Sequence, residues 1–471
     1  MKRAPAVVGV VAALMLASCS PAPEPAPTDP ARDLAGKVNA DAIFAHLEEL
    51  NGIATANQGN RAVGTPGYEA TVDYVAGMLR ESGFEVSTPE FDWLKMGDPG
   101  KPTLEIAGRR YPVTQASPLA PTPRGGVSGR SLRPRKPAGC AAADYGDVHG
   151  ALAIVDDTGC SVVVKQNAAV AKGAVGLLVV SAGRAKGLFE PGYYQKLTLP
   201  VAVIDDNTDA ALRRTTAPVR LRLDGEASVA KSRNVIAQTT TGDTANVVVA
   251  GANLDSAPRS PGINDNGTGV AALLTIAGEL GPAPEVGNAV RFAFWGSEIV
   301  GAAGRYVSGL DDGQLDDIAA YLDADMLGSQ NAGYFTYDGD QSAQTSQAPE
   351  GSAGIERTLA GYLNLAGIRP ADIPLDTSSD YGPFLAAGVP VGGLTTGSTQ
   401  QKTAVQARLW GGRAGVAFDP NHGTARDGIE NVDHRALSIT GPAMAFAIGT
   451  YAHSIEGVNG VPARDSRHRR G

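Results

Sequence analysis

Four acidic residues stand where metal-assisted hydrolysis would need them. Asp255 and Asp265 lie in the glycine-rich stretch GANLDSAPRSPGINDNGTG (Gly251 to Gly269), Glu298 follows the apolar run AVRFAFW, and Asp325 ends AAYLDAD. Carboxylates hold cations, a bound cation turns water into a nucleophile, and a further carboxylate can take that water's proton. The loop looks built to hold metal ions, yet it contains no histidine, the usual partner of aspartate at such sites.

The runs NVVVAGA, AVRFAFW and AAYLDAD read as buried strands, and each delivers an acid at its end. GTGVAALLTIAGEL reads as the helix behind the loop; Val38 to Leu50, Tyr68 to Gly83 and Ala436 to His453 read as further helices. This alternation predicts a three-layer α/β domain with a mostly parallel, mixed central sheet, in which ligands sit beyond the carboxyl ends of the strands. The plain alternative is that each acid caps the helix after it, as Asp265 before NGTGVAALL could. Caps do not require a common edge, however, and these acids share one. The sequence holds no GxSxG elbow and no HExxH, so other hydrolytic chemistries lack support.

A chain of 471 residues exceeds the size at which one core usually stops growing, so two folded parts are expected. Between Gly139 and about Gly225 the pattern changes to short strands, ALAIVDD, GLLVVSA and LPVAVIDD, with one helical stretch, VVVKQNAAVAKGA. This string resembles the small, β-rich protease-associated domain, which implies association rather than catalysis. The net charge of −9 argues against a nucleic-acid partner, and the basic run from Arg464 to Arg470 reads as a solvated end.

The start, MKRAPAVVGVVAALMLASC, has two cations before an apolar stretch too short to span a bilayer, which is an export signal. Leu16-Ala17-Ser18-Cys19 resembles a bacterial lipobox, which implies acylation of Cys19 and a protein held on the outer face of the cell membrane. A secretory signal with an incidental cysteine is the alternative. SPAPEPAPTDPARD then predicts a semi-extended spacer. Cys140 and Cys160 remain, and in an oxidising compartment they are expected to pair, two separate buried thiols being the alternative.

VVVAGANLDS, PGINDNGTGVAALL, VRFAFWGSE, YLDADMLGS, SDYGPF and DPNHGTARDGIENVD occur in the order and spacing of the aminopeptidase Y family of co-catalytic zinc exopeptidases. The resemblance runs from about Val38 to Glu456 and is similar to lipid-anchored actinobacterial members. It implies residues 1–18 as signal, 19–37 as linker, 38–130 and 230–456 as the exopeptidase-like domain, 131–229 as the protease-associated domain and 457–471 as a disordered basic tail. It also implies aspartates at Asp265, bridging two zinc ions, and Asp325, a terminal ligand. Glu298 falls at the general base, Asp255 at the aspartate that orients a histidine ligand, and Asp380 in the Ser-Asp pair.

The remaining ligands are replaced. Asn253 stands at the first histidine, Ile299 at the glutamate, and an ungapped alignment puts His422 at a tyrosine and Gly423 at the late histidine. Ser378 stands where many members carry arginine. The sequence therefore predicts an impaired peptidase holding no metal or one weakly bound cation, on Asp265 and Asp325 with Asn253 as a weak third oxygen, and with the old cleft free to bind a peptide or a protein partner. An all-oxygen set suits calcium better than zinc. A working aminopeptidase with a non-standard metal site is the alternative, and His422 is the histidine that a loop shift could bring into it.

Overall fold

The computed structural model describes residues 29–181, 187–190, 192–343, 347–377 and 379–467. The expected signal, Cys19 and Ser378 lie outside them. Four parallel strands, Asn288–Trp295, Asp243–Asn253, Ile318–Ala324 and Val391–Thr395, lie side by side in that order. Val235–Gln238 and Val86–Ser87 extend the sheet antiparallel on one side, and Phe335–Tyr337 with Ala371–Ile373 extend it on the other.

The strands are apolar on both faces because both faces are covered. Val248, Ala250 and Ala252 point into a core shared with the helices Ala40–Ala56, Pro66–Glu81, Thr268–Leu280, Ser352–Leu365 and His434–His453. Val247 and Val249 point the other way, into a second core with Ala302–Ser308 and Gly382–Ala386. This is the three-layer α/β architecture expected, with the parallel strands ending at one edge.

Three boundaries differ from expectation. Residues 30–37, placed in the spacer, form a helix: Asp29 caps it, Pro30 starts it, and Ala31, Leu34 and Ala35 form an i, i+3, i+4 stripe buried on the carboxy-terminal helix. The stripe is short and alanine-rich, which masks it within a Pro/Ala run.

The second small unit begins before residue 131. Thr103–Ile106 and Arg109–Pro112 form a hairpin that joins Val219–Arg222 and Val127–Gly129 in one sheet. Thr114–Gln115 completes the other, whose parallel centre is Leu152–Asp156, Gly176–Val180 and Val201–Ile204. Partners this far apart in the chain leave no local mark. The ribbon Glu90–Met96 with Ala227–Arg233 connects the two units, and Cys140 is bonded to Cys160 within the smaller one.

Lastly, the described carboxy-terminal segment packs onto the domain through Arg467. That side chain is buried and donates to the carbonyls of Pro462 (2.8 Å), Ala245 (3.1 Å) and Asp316 (3.1 Å), so it is a structural clamp rather than a frayed charge.

Leu34→Ala should lower stability by about 2–5 kcal/mol, the range for truncating a buried leucine. Urea unfolding measures this, and a spacer residue would give no change.

Candidate functional site

A polar cleft of ≈ 520 Å³ opens at the carboxyl edge of the parallel strands, lined among others by Asn253, Asp255, Asp265, Glu298, Asp325 and His422. Asn253 is the last residue of its strand. Glu298 lies three residues past Trp295, and Asp325 directly follows Ala324. The far wall comes from Ile373, Pro374, Tyr381, Thr395 and Gln400.

Asp265 is brought to this edge by an irregular turn, Ile263–Gly267, in which Asp265 and Asn266 have non-helical backbone and are joined by a cis peptide. Its neighbours fix the turn. Asn264 Nδ2 donates to Asp419 (2.7 Å), and the amide N–H groups of Asn264 and Asp265 donate to Asp427 (2.9 and 3.2 Å). Asn266 Oδ1 accepts from Met326 N (3.0 Å) and its Nδ2 donates to Ala324 O (2.8 Å), which ties the turn to the segment carrying Asp325. Polar side chains thus replace the hydrogen bonds an irregular buried backbone would otherwise lack.

The expected acids therefore do meet, and they have several partners without a mark in the sequence motifs. Asp323 is buried two residues before Asp325, and accepts hydrogen bonds from Tyr321 (3.2 Å) and Tyr337 (3.0 Å). The DAD spacing could have flagged it. Arg61 had no local signal: fully buried, it donates to the carbonyls of Leu254 (2.6 Å), Pro261 (3.0 Å) and Gly262 (2.5 Å), closing the loop between Asp255 and Asp265. Asp380 is buried behind the cleft and is not among its lining residues.

Same-sign crowding under burial shifts these groups upward. Burial pushes Asp255 up to about 6, against hydrogen bonds from Ser297 and Asn253. Burial, then the Asp265 and Asp323 charges, push Glu298 up to about 8. Burial pushes Asp323 up to about 7 against its tyrosine bonds. Asp325 and Asp380 are held well above the usual range by burial and by neighbouring carboxylates. Burial also raises Asp265, opposed by His422 and Arg61.

The donor set does not fit a pair of zinc ions. Asn253, expected as a weak third oxygen, has an amide already oriented by protein: its Oδ1 accepts from Asn266 Nδ2 (3.0 Å) and its Nδ2 donates to Asp255 Oδ1 (3.2 Å). Ile299 is 75 % exposed, and Gly423 brings no side chain. Asp265 and Asp325 remain as oxygen donors facing the cleft. His422 does reach the crevice: its Nδ1 lies 3.2 Å from Asp265 Oδ2, without the alignment of a hydrogen bond. From the smaller unit, Tyr194 accepts from Arg305 Nη2 (3.1 Å) on the helix that follows Glu298, so the two units touch beside the cleft.

A three-layer α/β domain gathering carboxylates at the ends of parallel strands, with a β-rich domain inserted, defines the zinc-exopeptidase class. The profile of Peptidase family M28 matches residues 234–448, and that of the PA domain matches residues 127–212. The chain is 44% identical over 459 residues to the probable lipoprotein aminopeptidase LpqL of Mycobacterium tuberculosis, covering 94% of this chain and 91% of the relative. It is 36% identical over 431 residues to an aminopeptidase of Pseudomonas aeruginosa, covering 87% and 80%. The chain belongs to peptidase family M28. Among solved structures it is similar in fold to an aminopeptidase from Aneurinibacillus sp. strain AM-1 (TM-score 0.57, 19% identity, 91% and 98% covered). It is likewise similar to BSAP, a zinc aminopeptidase from Bacillus subtilis (TM-score 0.52, 21% identity, 90% and 98% covered).

In the metal-free protein the raised pKa values set a pH dependence. Between the ordinary values of 3.8 and 4.5 and folded values of about 6 (Asp255), 7 (Asp323) and 8 (Glu298), the folded chain holds protons that the unfolded chain has released. Stability then falls as pH rises through that window. Thermal unfolding in chelator should give a higher midpoint at pH 5 than at pH 8, and Glu298→Gln should flatten the upper part of the slope.

Proposed function

We propose that this protein is a lipid-anchored, extracytoplasmic member of its family that has lost peptidase activity and uses the former substrate cleft to bind a peptide or protein partner. The observation that carries this reading is the Asn253 amide, bonded to Asn266 and Asp255 where the family pattern has a metal-binding histidine. Ile299 and Gly423 supply no donor to the second ion position, and that position keeps only Asp265. Metal-bound water is what a general base such as Glu298 works on, and a carboxylate does not appreciably deprotonate bulk water at neutral pH. Even loss of an outer-shell partner costs about 10- to 100-fold in affinity or activity at metal sites, and here ligands themselves are replaced. Lipid anchoring rests on the LASC signal at Cys19 and is in keeping with a relative named as a probable lipoprotein aminopeptidase.

The position of His422 favours a second reading, a weakly active enzyme with one cation. An imidazole 3.2 Å from Asp265, with Asp325 in the same cleft, offers one nitrogen and two carboxylates. Three such ligands with an open position are the minimum of a catalytic zinc site.

Hydrolysis of aminoacyl chromogenic substrates with added zinc separates the two. The natural chain should show no chelator-sensitive turnover and less than stoichiometric zinc. The combined variant Asn253→His, Ile299→Glu, His422→Tyr and Gly423→His should gain both. Its weak point is position 423, where φ is +66° and a side chain has open space but a strained backbone. Chelator-sensitive turnover by the natural chain establishes the second reading and ends the first.

A further inference from the structure

The carboxy-terminal helix His434–His453 measures the molecule from the cleft edge to the opposite edge. It begins beside the carboxyl ends of the strands, where Asp433 N donates to the carbonyl of Gly328, three residues past Asp325. It ends at the strands' amino ends: Asn288, the first residue of its strand, donates through Nδ2 to Tyr451 O (2.8 Å), and a Cβ on Gly287 would meet His453 O. Twenty residues at 1.5 Å each separate these edges by about 30 Å.

The helix Pro30–Lys37 runs antiparallel to it. Ala31 lies against Gly449, and Val38 lies against Gly441. The first described residue, Asp29, is therefore at the amino-end pole, about 30 Å from the cleft edge. The other chain end leaves at the same pole, since Arg467 is bonded to the carbonyls of Ala245 and Asp316, and Arg464 pairs with Asp317, all at strand starts.

Cys19 and Asp29 are ten residues apart, so the span between them is at most about 33–36 Å. For the cleft to face the membrane, this segment would have to run nearly taut along the whole flank of the domain. With the termini pole toward the membrane it needs no such extension, and the entropy of a slack tether favours that arrangement.

We infer that the pole bearing both termini is the membrane-facing surface of this protein, and that the cleft is turned outward, away from the lipid, toward ligands that approach from outside. The inference rests on the reading of Cys19 as the lipidated residue, and not on whether the cleft is catalytic.

The full chain, expressed with its signal in a lipidating host and reconstituted into phosphatidylglycerol vesicles carrying a nitroxide-headgroup lipid, tests it. With Cys140 and Cys160 bonded to each other and Cys19 acylated, an introduced thiol is the free one for labelling. Glu285→Cys places a fluorophore on the exposed turn before Asn288, and Thr399→Cys places one on the exposed rim beside Gln400. The Glu285 label should lose most of its emission while the Thr399 label keeps its own, and Cys19→Ser should leave the protein in the supernatant after vesicle sedimentation. Equal quenching of the two labels, stronger quenching at Thr399, or none at either in protein that sediments overturns the orientation and leaves the anchor standing. Natural-sequence protein that does not sediment overturns the anchor and the orientation with it.

Discussion

Parallel strands that end together carry the residues at their ends to a common place, and in this chain that place gathers an excess of carboxyl groups. Asn253, Glu298 and Asp325 are separated by tens of residues, yet they share a cleft because Asp243–Asn253, Asn288–Trp295 and Ile318–Ala324 run in one direction and in register. Asp255, Asp265 and Asp323 crowd the same edge. Burial strengthens repulsion among them, so the rest of the neighbourhood is organised around that excess. Tyr321 and Tyr337 donate to Asp323, Asn253 donates to Asp255, and Arg61 stands behind the loop.

The same constraint explains why the family resemblance outlasts the metal set. The turn at Asp265 is held by Asn264, Asn266, Asp419 and Asp427, none of which is a replaced ligand. The asparagine at position 253 fits this arrangement rather than breaking it. One amide offers a donor to Asp255 and an acceptor to Asn266, whereas isoleucine at position 299 simply leaves its place to solvent. The cleft thus keeps its shape and most of its carboxyl groups while losing the nitrogen donors that tune a zinc site.

Much of this was legible in the chain itself. Buried parallel strands announce themselves as short apolar runs, and an acid soon after each of three runs pointed to the common edge. Asp255, Glu298 and Asp325 follow from that logic, and the order of motifs placed Asp265 at the bridging position and Asp255 beside the missing histidine. What escaped depended on distant partners. The hairpin Thr103–Ile106 with Arg109–Pro112 belongs to the smaller unit only because Val219–Arg222 returns to it. The helix Pro30–Lys37 buries only one leucine and two alanines, and it is fixed by a helix four hundred residues away. Arg61 sits in NRAVG, a string with no periodicity or motif to single it out, and the direction of the Asn253 amide is decided by Asn266 across the loop.

Arg61 carries a consequence of its own. A guanidinium has five N–H groups in a fixed plane, and here three carbonyls spread over nine residues share them, so the loop from Leu254 to Gly262 is drawn around a single rigid hub. Lysine, with a compact ammonium on a flexible stem, has no such planar fork to splay across them. Because the hub's hydrogen bonds go to main chain, it holds the rim's contour without engaging an acid side chain in a hydrogen bond. Side chains at the rim can drift from one chemistry to another while the frame that displays them stays put.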